Sequence, residues 1–297
     1  MGFNENSLLR GYDKKLNEIR KFEKEKNIRE QAYRKAGEIL EIDRIDENEF
    51  IDLYGELVKK DLRYVKEMEE KFKILNTPER NESAKMAKIF EAIVHEQIEI
   101  NNWLGENAFT KKAARFDDIK NGIDEIVEFK PEDISKTSHL ALAIDVTFRK
   151  DLTEKMEKIK DDITVGKLST IKYFKSDSLN IRGEKVNVPK VIIGADNKML
   201  NNVMMIWLKG ENRKLTNQPM KFLILEEVFI QLKGFKDYAI RVGQTGVAND
   251  IDKVFKIIEE IYNKESASGN REEIKMSIGQ DKVYSAIKEY QEKLREK

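Results

Sequence analysis

The spacing of apolar positions changes near residue 105 of the chain. Before this point, apolar side chains recur every three or four residues, which is typical of amphipathic helices and predicts helices over residues 7–76 and 82–104. The Asn-Thr-Pro sequence at residues 76–78 separates the two stretches. After residue 105, short apolar runs alternate with helical patterns. This order favours an α/β fold with a mixed central sheet flanked by helices.

The predicted elements divide the chain into three regions. Strands are predicted at residues 123–129, 140–148, 188–195 and 221–225. Helices are predicted at residues 152–163, 202–208, 226–235, 251–263 and 281–296. The stretch at residues 265–270 holds serines and a glycine and is typical of a flexible linker. We expect an N-terminal helical region over residues 1–80, an α/β core over residues 81–240 and a C-terminal helical tail over residues 241–297.

The N-terminal region is rich in charged residues, and its apolar spacing predicts two or three helices. A break between them is expected near residues 41–47, where acidic residues accumulate. The simpler interpretation is an antiparallel helical hairpin with solvated charged faces. The alternative is a coiled coil that binds a partner, and in that case these helices would mediate homo-oligomerisation.

Composition narrows the classes of function. The chain carries 55 basic and 55 acidic residues, so it has no overall charge that attracts nucleic acid, and any such binding needs a local patch. There is no cysteine, which excludes disulfides and thiolate metal sites. No apolar run reaches the roughly 18 residues of a membrane span, and the first residues lack a signal peptide's apolar core. We expect a cytoplasmic protein without membrane association.

Two acids interrupt the most strand-like runs of the sequence. Asp124 follows Asn121-Gly122 at the start of one predicted strand, and Asp145 lies in the middle of the next. On a strand, Asp145 shares its face with the small residues Ala143 and Thr147, while the opposite face is wholly apolar. Burying a carboxylate is costly unless something compensates its charge. A divalent cation shared by two acids on adjacent strands is one such compensation.

Each acid also has a structural interpretation. Asp124 can be a turn or cap residue, because Asn-Gly before it already signals a turn. Asp145 can instead form a salt bridge with Arg149 or with a nearby lysine.

A third acid is expected from the helix at residues 82–104. At 100° per residue, Glu96 falls at the edge of the apolar stripe that holds Ile93 and Ile100. Glu91 and Glu99 lie about 140° from the centre of that stripe. We therefore expect Glu96 to face inward, and Glu91 and Glu99 to be solvated.

These residues resemble the PD-(D/E)xK nuclease-like superfamily, in which a helix bears a glutamate, an aspartate opens a strand, and a carboxylate precedes a lysine by two residues on the next strand. The resemblance covers residues 82–196 and assigns the three acids to Glu96, Asp124 and Asp145. It implies a restriction-endonuclease-like fold whose acids bind Mg²⁺ or Mn²⁺. The segments at residues 122–129 and 138–148 are also similar to uncharacterised bacterial proteins.

The sequence departs from the superfamily pattern at two positions. Ile123 stands where proline often precedes the aspartate, and Thr147 stands where the motif has lysine. A lysine can reach the site from elsewhere, and the candidates are Lys150 after the strand and Lys155 or Lys158 on the following helix.

The resemblance implies a metal-dependent nuclease that hydrolyses phosphodiester bonds of DNA or RNA. Glu96, Asp124 and Asp145 would hold the metal, and Lys150 or Lys155 would stabilise the transition state. The alternative is a catalytically inactive protein of the same fold that acts as a scaffold or binds nucleic acid.

Other chemistry-bearing residues carry weaker signals. His95 and His139, the only histidines, are expected on the surface or in loops, and without cysteine they make no zinc pattern. The basic cluster Lys111, Lys112 and Arg115 can follow phosphates, although such runs are usually solvated. Trp103 and Trp207 lie among apolar residues and are expected in the core.

Overall fold

A computed structural model describes residues 5–75, 77–130, 140–148, 151–176, 179–267 and 271–296. Four helices precede the first strand: α1 (Glu5–Ile42), α2 (Ile51–Tyr54), α3 (Glu56–Ile74) and α4 (Pro78–Ile100). The end of α1 and a 3₁₀ turn at Glu47–Phe50 confirm the predicted break near residues 41–47. Helix α1 packs on α4 and α6 through small and apolar residues such as Ala32, Ala36 and Leu40.

The central sheet has four strands in the order β1-β2-β3-β6. Its members are β1 (Ala108–Lys112), β2 (Glu125–Phe129), β3 (Leu140–Thr147) and β6 (Lys190–Gly194). The first three pair antiparallel, and β6 pairs parallel to β3 after a crossover that includes α5 (Thr153–Thr164). Strands β4 (Ser169–Ser176) and β5 (Ile181–Val188) form a separate antiparallel ribbon. The mixed α/β class is therefore confirmed.

Five further helices complete the described fold. They are α6 (Asn197–Leu208), α7 (Pro219–Arg241), α8 (Thr245–Ala267), α9 (Arg271–Gly279) and α10 (Lys282–Glu296). Helix α7 packs against β6, and α8, α9 and α10 pack against α7.

The sheet separates two apolar clusters. Leu142, Ile144 and Val146 of β3 belong to the larger cluster, which includes side chains of α4, α7, α8 and α10. Ala141 and Ala143 belong to the smaller cluster, formed with side chains of the β4–β5 ribbon and with Phe50 and Val58. This alternation confirms that Asp145 lies on the face of β3 that carries the small residues.

One predicted strand is wrong. Residues 221–225 lie inside helix α7, which also contains the helix predicted at residues 226–235. A short apolar run fits a buried helix as well as a buried strand, because both are apolar on all sides. Pro219 occupies the first turn of α7, where its missing N–H breaks no hydrogen bond.

The sequence reading also missed or misplaced other elements. Strands β1, β4 and β5 and helix α9 were not predicted. Residues 265–267 of the expected linker continue helix α8, and residues 268–270 lie outside the described part of the chain. Within the described residues, no helix is both long enough and apolar enough to cross a membrane.

Gly194 fixes a close approach between β6 and its neighbours. A Cβ atom at this position would lie 2.8 Å from the Thr147 carbonyl oxygen and would also collide with Val283 of α10. We expect Gly194→Ala to lower the free energy of unfolding by about 1–3 kcal/mol, because the packed neighbours must move. Chemical denaturation measures this change.

Gly246, in the first turn of α8, provides the matched control for that prediction. No described atom lies within 4 Å of the Cβ that alanine would add there. Gly246→Ala is therefore expected to leave stability unchanged or to raise it by up to about 1 kcal/mol. Equal losses in the two variants would show that the packing at Gly194 is not the constraint.

Candidate functional site

Asp124 and Asp145 occupy opposite positions on two paired strands. The register joins Glu125 to Ile144, so one step further it places Asp124 opposite Asp145. The Asp124 N–H donates to the Ile144 carbonyl at 2.8 Å. The Asp124 carboxylate accepts the Val146 N–H at 2.7 Å, which fixes its orientation beside β3. The structure therefore brings together the two acids that the sequence singled out.

The segment before Asp124 is shaped by a single π-helical turn, Asp117–Asn121, that ends at Gly122. Gly122 has a left-handed φ of 62°, and a Cβ here would lie 3.6 Å from an Asp145 carboxylate oxygen. The buried Asp117 carboxylate accepts the N–H groups of Lys172 and Tyr173 of β4, both at 2.9 Å. These bonds tie the turn to the ribbon and so hold the mouth of β2 in place.

The ammonium group of Lys112 lies inside a cage of acidic oxygens. Its Nζ is 2.5 Å from Glu91 Oε1, 3.5 Å from Asp118 Oδ2 and 3.7 Å from Asp124 Oδ1. It also donates to the Asp124 carbonyl oxygen at 2.8 Å. The Lys112 side chain is 1% exposed, whereas those of Asp118 and Asp124 keep 27% and 20% exposure. The cluster thus opens to solvent on its acidic side.

The carboxylates of this cluster outnumber the cation that they surround. Burial raises the pKa of the Asp124 carboxyl well above its usual range, and Lys112 only partly opposes this. The neighbouring carboxylates of Asp118, Glu91 and Asp145 raise it further. Burial likewise raises the pKa of Glu91. Burial alone would lower the pKa of Lys112, but the surrounding acids outweigh this and raise it, so the ammonium stays charged.

A second lysine contacts the other strand acid. Lys155 Nζ, on α5, lies 2.5 Å from Asp145 Oδ1, and the lysine side chain remains 36% exposed. Lys190 of β6 donates to the Asn121 carbonyl at 3.2 Å, and its pKa is lowered by burial and by the nearby Lys155 and Lys158. Lys155 and Lys190 therefore both lie near Asp145, and Lys158 lies near Lys190.

The structure places Glu96 away from these acids, and this corrects our expectation that it faces them. Its carboxylate accepts the Trp207 indole N–H at 2.5 Å. Glu96 also lines a separate cleft of about 440 Å³ beside β1, together with Asp43, His95 and Lys111 among others. Neither Asp124 nor Asp145 lines this cleft.

The glutamate of α4 that reaches the acid cluster is Glu91, which we expected to be solvated. The apolar stripe predicted the wrong inward-facing glutamate because α4 is buried on several sides. It packs on α1 and α6 as well as on β1 and β3. Glu91 and His95, four residues apart, face the sheet, whereas Glu96 faces α6. Glu99 is exposed, as expected, and accepts the Thr110 N–H.

Several residues of this site were not foreseen. Lys112 stands in a lysine pair that reads as a solvated charge run, and β1 itself was not predicted. Asp118 and Lys190 carry no motif. Of the lysines proposed for the site, Lys155 contacts Asp145, whereas Lys150 lies outside the described residues.

His95 is buried rather than on the surface. Its Nδ1 lies 2.9 Å from Glu125 Oε2, and its Nε2 lies 3.2 Å from Asp43 Oδ2. Although burial lowers the pKa of His95, Glu125 and Asp43 together raise it to about 10, so the imidazole is a fixed cation at neutral pH. His139 lies outside the described residues. Trp103 and Trp207 are in the core, as predicted.

The donor atoms of the site suit a metal ion, but their arrangement does not. Carboxylate oxygens are the ligands that Mg²⁺ and Mn²⁺ prefer, and Asp124, Asp145 and Glu91 supply them. Across the described residues, however, no group of three or more His, Cys, Asp or Glu side chains is arranged so that it could hold a metal ion. An ammonium group lies within the acid cluster instead.

Comparison with protein-family models finds no match for this chain, and comparison with curated proteins and with solved structures finds none either.

The charge on His95 predicts how stability depends on pH. Its folded pKa of about 10 is above the unfolded value of 6.5, so its contribution is complete below about pH 6.5 and is lost as pH rises through 10. We expect His95→Gln to lower the free energy of unfolding on the order of 1–3 kcal/mol at pH 6 and by less at pH 10.

Urea denaturation of both proteins at pH 6, 8 and 10 tests this expectation. Comparing the two proteins at each pH cancels the titration of the lysines that they share. A difference in stability that stays constant across the range would contradict a raised histidine pKa.

Proposed function

We propose that this protein is a metal-dependent hydrolase that cleaves phosphodiester bonds of nucleic acid at the Asp124–Asp145 site. One observation carries the proposal. Asp124 and Asp145 oppose each other on β2 and β3, and the ammonium of Lys155 lies 2.5 Å from the Asp145 carboxylate. Lys155 thereby supplies the positive charge that Thr147, at the motif position, lacks.

The order of the elements supports this assignment. Helix α4 carries Glu91, β2 begins just after Asp124, and β3 carries Asp145. The PD-(D/E)xK resemblance implies this same succession of a helix glutamate, an aspartate that opens a strand and a carboxylate on the next strand. We assign the helix glutamate to Glu91 instead of Glu96, because Glu91 reaches the cluster through Lys112.

The acids fit the cation in their chemistry. Oxygen ligands from Asp124, Asp145 and Glu91 suit Mg²⁺ or Mn²⁺. When bound, such a cation lowers the pKa of a water molecule and offsets charge that builds on the phosphate.

The protein's own groups have separate roles in this proposal. The Asp124 carboxylate is oriented by the Val146 N–H, so one of its oxygens is fixed. The side chain of Lys155 is partly exposed and can reach a phosphate oxygen while it remains beside Asp145. Lys158, exposed on the same helix, adds positive charge, and in this proposal the two lysines give a chain of zero net charge a local patch for the nucleic-acid backbone.

Cleavage of supercoiled plasmid and of single-stranded DNA and RNA with Mg²⁺ or Mn²⁺ tests the proposal. We expect Asp145→Asn and Asp124→Asn to reduce the cleavage rate by at least about 100-fold, because each removes a charge on which the reaction depends. Chelation of the metal should stop cleavage by the unmodified protein. Cleavage that survives both substitutions would show that another protein or another site is responsible.

The two glutamates of α4 give a sharper comparison. Glu91→Gln is expected to reduce cleavage at least about tenfold, while Glu96→Gln leaves it within about twofold, because the Glu96 carboxylate is held by Trp207. Rates from matched preparations, with folding checked by circular dichroism, decide between them. The reverse order of effects would restore the assignment made from the sequence.

A second candidate function is favoured by the lysines themselves. The Asp124 and Asp145 carboxylates each have a lysine within 4 Å, and Thr147 lacks an ammonium group. These observations suit a catalytically inactive protein of the same fold that binds nucleic acid through Lys155 and Lys158. It would retain salt-dependent binding of nucleic acid in a shift assay and would show no cleavage with either metal.

A further inference from the structure

We propose that the ammonium of Lys112 is a built-in cation that competes with divalent metal for the acid cluster, so that the cluster remains folded without metal and binds metal weakly. This inference rests on the proposed function, since it concerns the affinity of the same site. It assigns a role to a buried lysine for which the superfamily resemblance supplies no counterpart.

The Lys112 ammonium is enclosed by oxygen atoms. Its four oxygen neighbours come from α4, from the turn before β2 and from Asp124 itself, at 2.5–3.7 Å. An enclosure of carboxylate and carbonyl oxygens is the kind of surrounding that a hard metal ion takes in proteins. The Lys112 ammonium therefore lies where the acids would otherwise draw a cation from solution.

The backbone of Lys112 is held on both sides, which keeps its side chain directed into the cluster. On one side β1 pairs with β2, and Lys112 stands opposite Glu125. On the other side the Lys112 carbonyl accepts the Ile45 N–H at 3.0 Å. The Lys112 side chain is only 1% exposed.

The charges explain why the affinity for metal is low but not abolished. Three carboxyl groups surround Lys112, and Arg44 lies 3.6 Å from the Asp118 carboxylate, so with all three acids ionised the two cations leave an excess of one negative charge near Asp124. That excess attracts a divalent cation. The ammonium is 3.7 Å from Asp124 Oδ1, so a metal on this carboxylate meets a like charge at close range.

Lys112→Met provides the test, because methionine keeps much of the length and apolar character of the lysine side chain but removes its charge. We expect the variant to bind Mn²⁺ at least about tenfold more tightly than the unmodified protein in calorimetric titration. Its melting temperature, lowered without metal, should rise with Mn²⁺ by more than that of the unmodified protein.

Lys111→Met is the matched control. Lys111 is the neighbouring residue of β1 and pairs with Asp43 at 2.7 Å, outside the Lys112 cage. The substitution changes the net charge by the same amount, and Mn²⁺ affinity should stay within about twofold of the unmodified protein. Tighter binding in both variants would mean that overall charge, and not the position of Lys112, sets the affinity, and this would overturn the inference.

The outcomes separate this inference from the proposed function. If the unmodified protein binds Mn²⁺ and Lys112→Met binds it no more tightly, the inference fails and the hydrolase proposal stands. If only Lys112→Met binds, the inference holds and a metal-dependent activity of the unmodified protein is excluded. If neither binds, both proposals fail.

A second variant covers the case in which Lys112→Met does not fold. Lys112→Met combined with Asp118→Asn removes one negative charge together with the positive one and leaves Glu91 and Asp124 in place. Tighter Mn²⁺ binding by the double variant than by Asp118→Asn alone supports the inference. Equal binding by these two proteins overturns it.

Discussion

The fold depends on compensating acidic side chains that are buried where helix α4 meets the start of the sheet. Taking a carboxylate out of water is costly, and a partner charge with good geometry is needed to offset that cost. Lys112 and His95 supply such charges between α4 and the β1–β2 pair, with Nζ 2.5 Å from Glu91 and Nδ1 2.9 Å from Glu125. Both cations therefore stabilise the packing of helix α4 on this end of the sheet.

The same compensation links the packing of the protein to its candidate chemistry. Asp124 belongs at once to the Lys112 cluster and to the strand pair that presents Asp145. A change in the charge held by the cluster therefore alters both the stability of the α4–sheet contact and the electrostatic field at Asp145.

Sequence periodicity predicted β3 correctly because apolar residues alternate with small or polar residues along it. Its apolar residues face one cluster, and Asp145 lies among small residues on the other face, so the strand and its orientation could both be inferred. The run at residues 221–225 failed because a short, wholly apolar segment does not distinguish a strand from a buried helix. The prediction that Glu96 is the inward-facing glutamate of α4 was wrong for a related reason. A single apolar stripe cannot describe α4, which is packed on several sides.

The burial of Lys112 could not be predicted in the same way, because consecutive lysines ordinarily indicate solvent-exposed positions. Only the pairing of β1 with β2 turns one of the two toward Glu91.

The position of the positive charge beside Asp145 follows from packing as well. Thr147 is 3% exposed, and its side chain lies close to Gly194 on the neighbouring strand. Gly194 is itself pressed against Val283 of α10, so this end of β3 has little space for a longer side chain. Helix α5 follows the strand and carries Lys155 back to Asp145 from the solvent side. The positive charge beside the Asp145 carboxylate therefore comes from the helix, while threonine fills position 147 on the same strand.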